Sequence, residues 1–439
     1  MTGANFLIET SEQKFLVDCG ILQNENTSDA ANSAPFPYDV KTVDTLIVTH
    51  AHADHIGRIP RLVREGFRGA IHSTGATKDL SALMFEDALN IMKEEMERSG
   101  REVLYEVEDV ERALSLWQGH EYHEPFSRGD MSVEFFDAGH ILGSALVRVK
   151  RGERSILFTG DLGNSPESLL RDAEYPDGAN YLVMDSVYGD RLHEARDERR
   201  EELRRCVERT HIRRGVLLIP SFSLERTQVL LYELNTMIEE DAIEPIAVYL
   251  DAPLAIRLTE VFRKYRHLLN SSAQEHFSEH GDPFSFQNLK LTCDAATSRA
   301  IHAAPNPKVI IAGAGMSQGG RVRAHEKYYL GDKKATILFV GYQVPGSLGR
   351  RIQDGEKRVE IDGEHIRIYA ERATLSGYSG HADRDQLLSF VEEIGENLER
   401  VFVTMGEPRS SLFLAQRVKD FLGIDAVVPE SGECFEIDF

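Results

Sequence analysis

Cysteine is scarce in this chain. Four thiols in 439 residues, Cys19, Cys206, Cys293 and Cys434, form no C-x-x-C pair and no dense framework. A disulfide-built scaffold is thereby excluded, and a reducing cytoplasm is the expected location. Long hydrophobic runs are also missing. No segment approaches the roughly 18 to 20 uninterrupted apolar residues that a bilayer-spanning helix needs, so no membrane partner is expected. The opening stretch, MTGANFLIETSEQKFLVDCG, has no basic leader ahead of a long apolar run, and no signal peptide is expected. Basic charge is short as well. Lys and Arg number 50 against 72 Asp and Glu, a formal net charge of −22. Such acidity counts against unspecific coating of nucleic acid, while leaving room for a local basic channel.

What is present is ordinary for a globular protein: 41% hydrophobic and 28% charged residues, with length enough for two or three domains. Three zones differ in pattern. Residues 1–190 alternate short apolar runs with polar turns (KFLVDCG, TLIVTH, SVEFFDAGH, SILFTGD, YLVMDS) and read as strands in two sheets, many ending in Asp or His. One helix interrupts them, with Leu80, Leu83, Met84, Leu89, Met92 and Met96 near helical spacing and Gly100 as its stop. Residues 191–352 alternate apolar strands (VLLIPSF, PIAVYLD, PKVIIAGAG, ATILFVGY) with helices, the pattern of a parallel sheet. The polar stretch 271–288 reads as a loop. Residues 353–439 return to strand-like alternation, then give helix, strand, helix and strand.

The densest chemistry lies in TLIVTHAHADHIGRIPRL, residues 45–62, where His50, His52, Asp54 and His55 fall within six positions. Zinc takes imidazole and carboxylate ligands, and a catalytic zinc leaves one position for water. H-x-H-x-D-H after a strand offers ligands to two adjacent ions, His50 and His52 to one, Asp54 and His55 to the other. A two-metal site also needs a bridging carboxylate. His140, closing VEFFDAGH, is assigned to the first ion, and Asp161, closing SILFTGD, to the bridge; a plain turn residue is the alternative for Asp161. Asp18, after KFLV, is a strand-end carboxylate suited to accept the second ring N–H of a ligating histidine.

Asp18, HAHADH, His140 and Asp161 resemble the successive motifs of the metallo-β-lactamase superfamily. DSVYGDR and SGYSGHAD resemble two signature motifs of its β-CASP branch, nucleases related to ribonuclease J and to the cleavage-and-polyadenylation factor. IPSFSLERTQVLLYEL, AGAGMSQGGRVRAHEKYYL and GYQVPGSLGRRI resemble that branch too. The resemblance implies an α/β fold, an αββα metallo-β-lactamase sandwich interrupted by an inserted α/β, parallel-sheet β-CASP domain. Residues 1–190 and 353–439 would form the first domain, 191–352 the insertion, with the active site in a cleft between them. It implies two Zn2+ ions, one on His50, His52, His140 and Asp161, the other on Asp54, His55 and Asp161. Asp185 and His381 match the two further motifs and are implied to pair beside the scissile phosphate. An N-cap-region residue is the alternative for His381.

The function so implied is a zinc-dependent ribonuclease of RNA processing or decay. A hydroxide bridging two metals attacks phosphorus, Asp54 accepts the water's proton, and His381, supported by Asp185, protonates the leaving 3′ oxygen. Single-stranded RNA is the expected partner, and the resemblance points to a homodimer. Endonucleolytic and 5′-exonucleolytic modes, and RNA or DNA, stay open. The loop GAGMSQGGR offers a backbone anion nest at Gly315, Ser317, Gly319 and Gly320, with Arg321, Arg323 and Arg350 as phosphate contacts; a plain glycine-rich loop is the alternative. Arg226 reads equally as a structural ion-pair residue.

Two departures stand out. VFVTMGEPRSS carries Met405 where the branch usually presents a histidine completing the second zinc. A thioether is a soft, weak ligand for zinc, so a loosely held second ion is expected. Relatives also usually carry a further strand ahead of this chain's first residues, whose loss would expose an edge. Met405 keeps one alternative in view, a degenerate, weakly active or non-catalytic RNA-binding homologue; a small-ester or thioester metallohydrolase of the wider superfamily is the other, disfavoured by the insertion and His381.

Overall fold

In the computed structural model, which describes residues 3–22, 29–100, 102–193 and 196–439, the alternating apolar runs of the first zone become two sheets. The first has the strand order Phe6–Glu9, Lys14–Val17, Thr45–Ile47, Ala70–Thr74, Trp117–His120. Phe6–Glu9 is antiparallel to its neighbour and the remaining pairs are parallel. The second runs Asp425–Val427, Arg400–Thr404, Tyr181–Asp185, Arg154–Phe158, Ala145–Arg151, Met131–Asp137, Phe126–Arg128. Strict alternation along Met131–Asp137 sends Val133 and Phe135 to one face, where they meet Phe15, Val17 and Ile47 of the first sheet together with Val147 and Val149. Full burial of each large side chain stabilises this interface by about 1.5–3 kcal/mol.

The opposite face of the second sheet is covered by two C-terminal helices, Arg384–Ile394 and Pro408–Arg417, through Leu387, Phe390, Val391 and Leu414 against Leu146, Leu157, Leu182 and Val401. Asp383 starts the first of these helices with a reciprocal capping box shared with Gln386. Helix Gly75–Ser99 packs against Ala70–Thr74 and Trp117–His120. Thr74 caps its start, and Gly100, at φ 71°, ends it. Its apolar stripe is buried early, at Leu80 and Leu89, and runs into solvent by Met96.

The chain divides into two units, residues 1–165, 171–192 and 381–439 forming the first, 166–170 and 193–380 the second. The second is built on a six-stranded sheet in the order Leu289–Leu291, Ala247–Asp251, Lys308–Ala312, Val216–Pro220, Thr336–Phe339, Glu371–Thr374. Every pair in it is parallel. Near-continuous apolar strands such as VLLIP, buried at all five positions, suit a sheet covered on both faces.

Two readings change here. The stretch 353–380, grouped above with the C-terminal part, lies in the second unit, because Glu371–Thr374 continues the six-stranded sheet beside Thr336–Phe339. The polar stretch after 270 is not all loop, since Ser271–Glu279 is helical. Its polar composition hid a small buried face, Ala273 and His276. Asn270 accepts a hydrogen bond from Ala273 N at 2.8 Å, and its Nδ2 lies 3.1–3.2 Å from the carbonyls of Glu167, Ser168 and Leu170. Asn270→Ala removes the cap and this tie together. It is expected to destabilise the protein by about 1–3 kcal/mol in denaturant unfolding.

Candidate metal centre

Six of the strands in the first unit deliver a ligand-type or proximal residue at their carboxyl ends. Lys14–Val17 is followed by Asp18 and Thr45–Ile47 by the 50–55 turn. Met131–Asp137 leads to His140, Arg154–Phe158 to Asp161 and Arg400–Thr404 to Met405, and Tyr181–Asp185 ends on Asp185. Metal-competent atoms of His50, His52, His140 and Asp161 lie within 4.8 Å of one another. His52 Nδ1 stands 3.1 Å from both His50 Nε2 and His140 Nε2. Asp161 Oδ2 is 3.4 Å from each of the latter two nitrogens.

Asp54 and His55 sit on the short helix Ala53–Ile56, both buried. His55 Nδ1 meets Asp18 Oδ2 at 2.7 Å, while its Nε2 faces Asp161 Oδ1 at 3.3 Å. That Nε2 and that Oδ1 are buried with no hydrogen-bond partner. Buried polar atoms carry a desolvation cost when left unsatisfied. Three converging imidazole nitrogens, an unsatisfied nitrogen and an unsatisfied carboxylate oxygen are the donor set of a divalent cation, and these residues fit one.

The electrostatics agree. Burial, reinforced by neighbouring imidazoles, holds His50 and His52 well below the ordinary histidine range, so both are neutral and offer lone pairs. Burial pushes His55 the same way, but the Asp161 and Asp18 carboxylates outweigh it and favour its charged form. Burial also raises Asp161, yet the surrounding histidines reverse this and keep it ionised. Asp185 is pushed up to about 8 by burial and by the charge of Asp161.

Asp18 accepts from Thr49 N and Thr49 Oγ1, each at 2.8 Å, besides His55. Thr49 Oγ1 in turn lies 3.1 Å from His50 Nδ1. Thr49 thus links the Asp18 carboxylate to two histidines, a role its place in VTHAHADH did not reveal. Ser144 Oγ accepts from the backbone of His140 and Ile141, at 3.1 and 3.2 Å, and fixes the turn presenting that imidazole.

His381 enters from the C-terminal part. Its backbone bridges that of Gly163, and Ala382 N donates to Leu162 O at 2.7 Å. His381 Nδ1 stands 3.7 Å from Asp161 Oδ2, and the ring lies 4.7 Å from that of His140. A Cβ on Gly163 would fall 2.0 Å from Gly139 O, so the approach of the two loops requires glycine. Tyr188, unremarked within DSVYGDR, stacks toward His381 at 6.2 Å. Asp185 accepts from Leu162 N at 2.7 Å and from Val187 N at 3.3 Å, gripping the backbone just after Asp161. Met405, at φ 61°, borders a cavity of about 10 Å3 shared with Asp18, Thr49, His55 and Gly160.

The anticipated phosphate contacts lie in the second unit and carry intramolecular partners. Arg321 pairs with Asp251 at 2.6 Å, Arg323 with Asp362 at 2.7 Å and Arg350 with Asp354 at 2.9 Å. Ser317 is fully buried and donates to Glu326. In the loop itself, Gly315 lies against Phe222, Gly319 is open and Gly320 is left-handed at φ 66°. Arg226 is buried, its charge disfavoured by burial and favoured by Glu167. Among the described residues no helix is long and apolar enough to cross a membrane.

Comparison with known proteins gives a consistent picture. Residues 2–209 match the family described as "Metallo-beta-lactamase superfamily", 227–352 the "Beta-Casp domain", and 365–429 the "Zn-dependent metallo-hydrolase RNA specificity domain". The chain is 37% identical over 416 residues to Ribonuclease TTHA0252 of Thermus thermophilus, covering 95% of this chain and 93% of that one. It is 31% identical over 438 residues to Transcription termination factor FttA of Methanosarcina mazei, covering 96% and 67%. A crystal structure of a protein of unknown function from Enterococcus faecalis V583 shares the fold at a TM-score of 0.56 and 12% identity, covering 98% and 96% of the two chains.

The Asp18 contacts lead to a direct test. Asp18→Asn keeps the shape but loses the carboxylate that orients His55. It is expected to weaken metal binding roughly 10- to 100-fold, read by competition with a chromophoric chelator.

Proposed function

The chain belongs to the β-CASP branch of the metallo-β-lactamase superfamily, metal-dependent nucleases, and from that premise we propose that it is a two-zinc ribonuclease acting on single-stranded RNA. The reading is carried by one observation, the convergence of His50, His52, His140 and Asp161 with His381 at 3.7 Å from the shared carboxylate. The likeness to a ribonuclease and to transcription termination factors supports RNA as the substrate.

His50, His52, His140 and Asp161 would hold one zinc, and Asp54, His55 and Asp161 the other. Bound zinc supplies Lewis acidity at the phosphate and lowers the pKa of water. Asp54 takes the proton that the attacking water gives up, and burial raises its carboxyl above the ordinary aspartate range. His381 holds a proton beside Asp161 and passes it to the leaving 3′ oxygen. Asp185 fixes Leu162, whose carbonyl receives Ala382 N, so the carboxylate braces the backbone on the same side as the general acid. A cytoplasmic homodimer completes the reading.

Met405 favours a second reading for one part of the site. Beside His55 the thioether offers zinc little, leaving the second ion three protein ligands, one of them shared. We assign unequal affinities to the two positions. The alternative, a non-catalytic RNA-binding homologue, requires this single change to abolish turnover although the other ligand-type residues remain.

Cleavage of 5′- and 3′-labelled RNA, with metal content measured on the same samples, separates these readings. Chelation is expected to abolish cleavage, and His381→Ala to lower it roughly 10²- to 10⁴-fold with zinc content unchanged. Intact RNA at full zinc occupancy would remove the nuclease reading, and turnover of thioesters alone would replace it. Met405→His is expected to raise affinity for the second zinc, seen as a later breakpoint in chelator titration; equal affinity in both proteins would refute the unequal-site assignment.

A further inference from the structure

A buried polar network stands where the backbone leaves the second unit, and the site described above does not use it. Arg199 is 1% exposed, yet its guanidinium donates to Glu167 Oε1 and Oε2 at 2.7 and 3.0 Å and to Gly377 O at 2.6 Å. The same guanidinium lies 5.0 Å from the ring centroid of Tyr378. Tyr378, fully buried, donates its O–H to Glu233, and Ser168 Oγ donates to the other oxygen of that carboxylate. Five side chains, Glu167, Ser168, Arg199, Glu233 and Tyr378, thus tie residues 167–168 to residues 377–378.

These two short stretches are covalent continuations of the loops that carry the chemistry. Six residues before Glu167 is Asp161, and three residues after Tyr378 is His381. Within the first unit the same strands of backbone are already paired. Leu162 O receives Ala382 N, Gly163 bridges His381, and Gln386 Nε2 donates to Ser165 O. Residues 162–165 are thus paired with 381–386 within the first unit, and residues 167–168 with 377–378 within the second.

Buried ionic groups are an expensive way to gain stability, since well-packed apolar residues of similar size often do as well or better. What such a network does supply is a fixed geometry, because a fully buried Arg and Tyr with several partners have few alternative arrangements. We propose that Tyr378, with Glu233, Arg199 and Glu167, is a positioning element for His381, fixing the backbone that holds its imidazole against Asp161. This rests on the reading of His381 as the general acid.

The test compares two substrates of different leaving group. RNA needs a proton delivered to its 3′ oxygen, whereas a p-nitrophenyl ester of thymidine 5′-phosphate releases a phenolate that needs none. In Tyr378→Phe, with its zinc content verified, kcat for RNA is expected to fall roughly 10- to 100-fold with KM little changed. Turnover of the aryl ester is expected to stay within about twofold of the parent. Glu233→Gln, which keeps the shape but weakens the acceptor, should reproduce the split if Tyr378→Phe folds poorly. Equal losses on both substrates, or no loss on either, would overturn the inference. His381→Ala serves as the reference. If it shows no split, the general-acid reading fails and this inference with it; if it does and Tyr378→Phe and Glu233→Gln do not, only the positioning role is lost.

Discussion

Asp161 is the group on which the arrangement turns. It is 3% exposed, ionised, and surrounded by His50, His55, His140 and His381 at 3.3–3.7 Å. An anion buried this deeply needs charge beside it, and in the protein alone His55 provides it. A divalent cation meets that need better, since it also satisfies nitrogens that cannot all donate to one another. The geometry around Asp161 is therefore an electrostatic requirement before it is a catalytic one, and the two sheets serve to hold its partners at the right strand ends.

The layered fold explains how partners so far apart in sequence are brought together. A strand alternates its side chains, so its last residue and the loop beyond it are free to carry polar groups while the interior remains apolar. Phe135 and Val147 fill the space between the sheets, and the turn joining their two strands carries His140 and Ser144. The C-terminal helices then cover the outer face, and the loop before the first of them brings His381 alongside Gly163. Packing and chemistry divide cleanly along each strand.

Much of this was legible in the sequence, and what was missed has physical reasons. The cluster in HAHADH is dense enough to read directly, and the strand-end positions of Asp18, His140 and Asp161 follow from where the apolar runs stop. Thr49 gives no signal in the sequence, because a threonine after a strand is common, and only three dimensions show its hydroxyl between Asp18 and His50. The helix Ser271–Glu279 hides in the sequence because its stability comes from Asn270 and a small buried face instead of an apolar stripe. The strand Glu371–Thr374 looked like a return to the first domain because alternation does not say which sheet a strand joins. The arginines near the glycine loop stand beside Asp251, Asp362 and Asp354, partners distant in sequence or on the next helical turn that charge alone does not reveal.

Met405 adopts φ 61°, and Gly406 N closes onto Thr404 O at 2.8 Å. The pair closes a three-residue γ-turn centred on Met405, a conformation that is rare and strained for an L-residue. Positive φ is uncommon for any residue that carries a Cβ, and valine, isoleucine and threonine fit worst there. The Met405 thioether is thus carried to the cavity it shares with Asp18, Thr49 and His55 by a turn whose shape its own backbone does not favour.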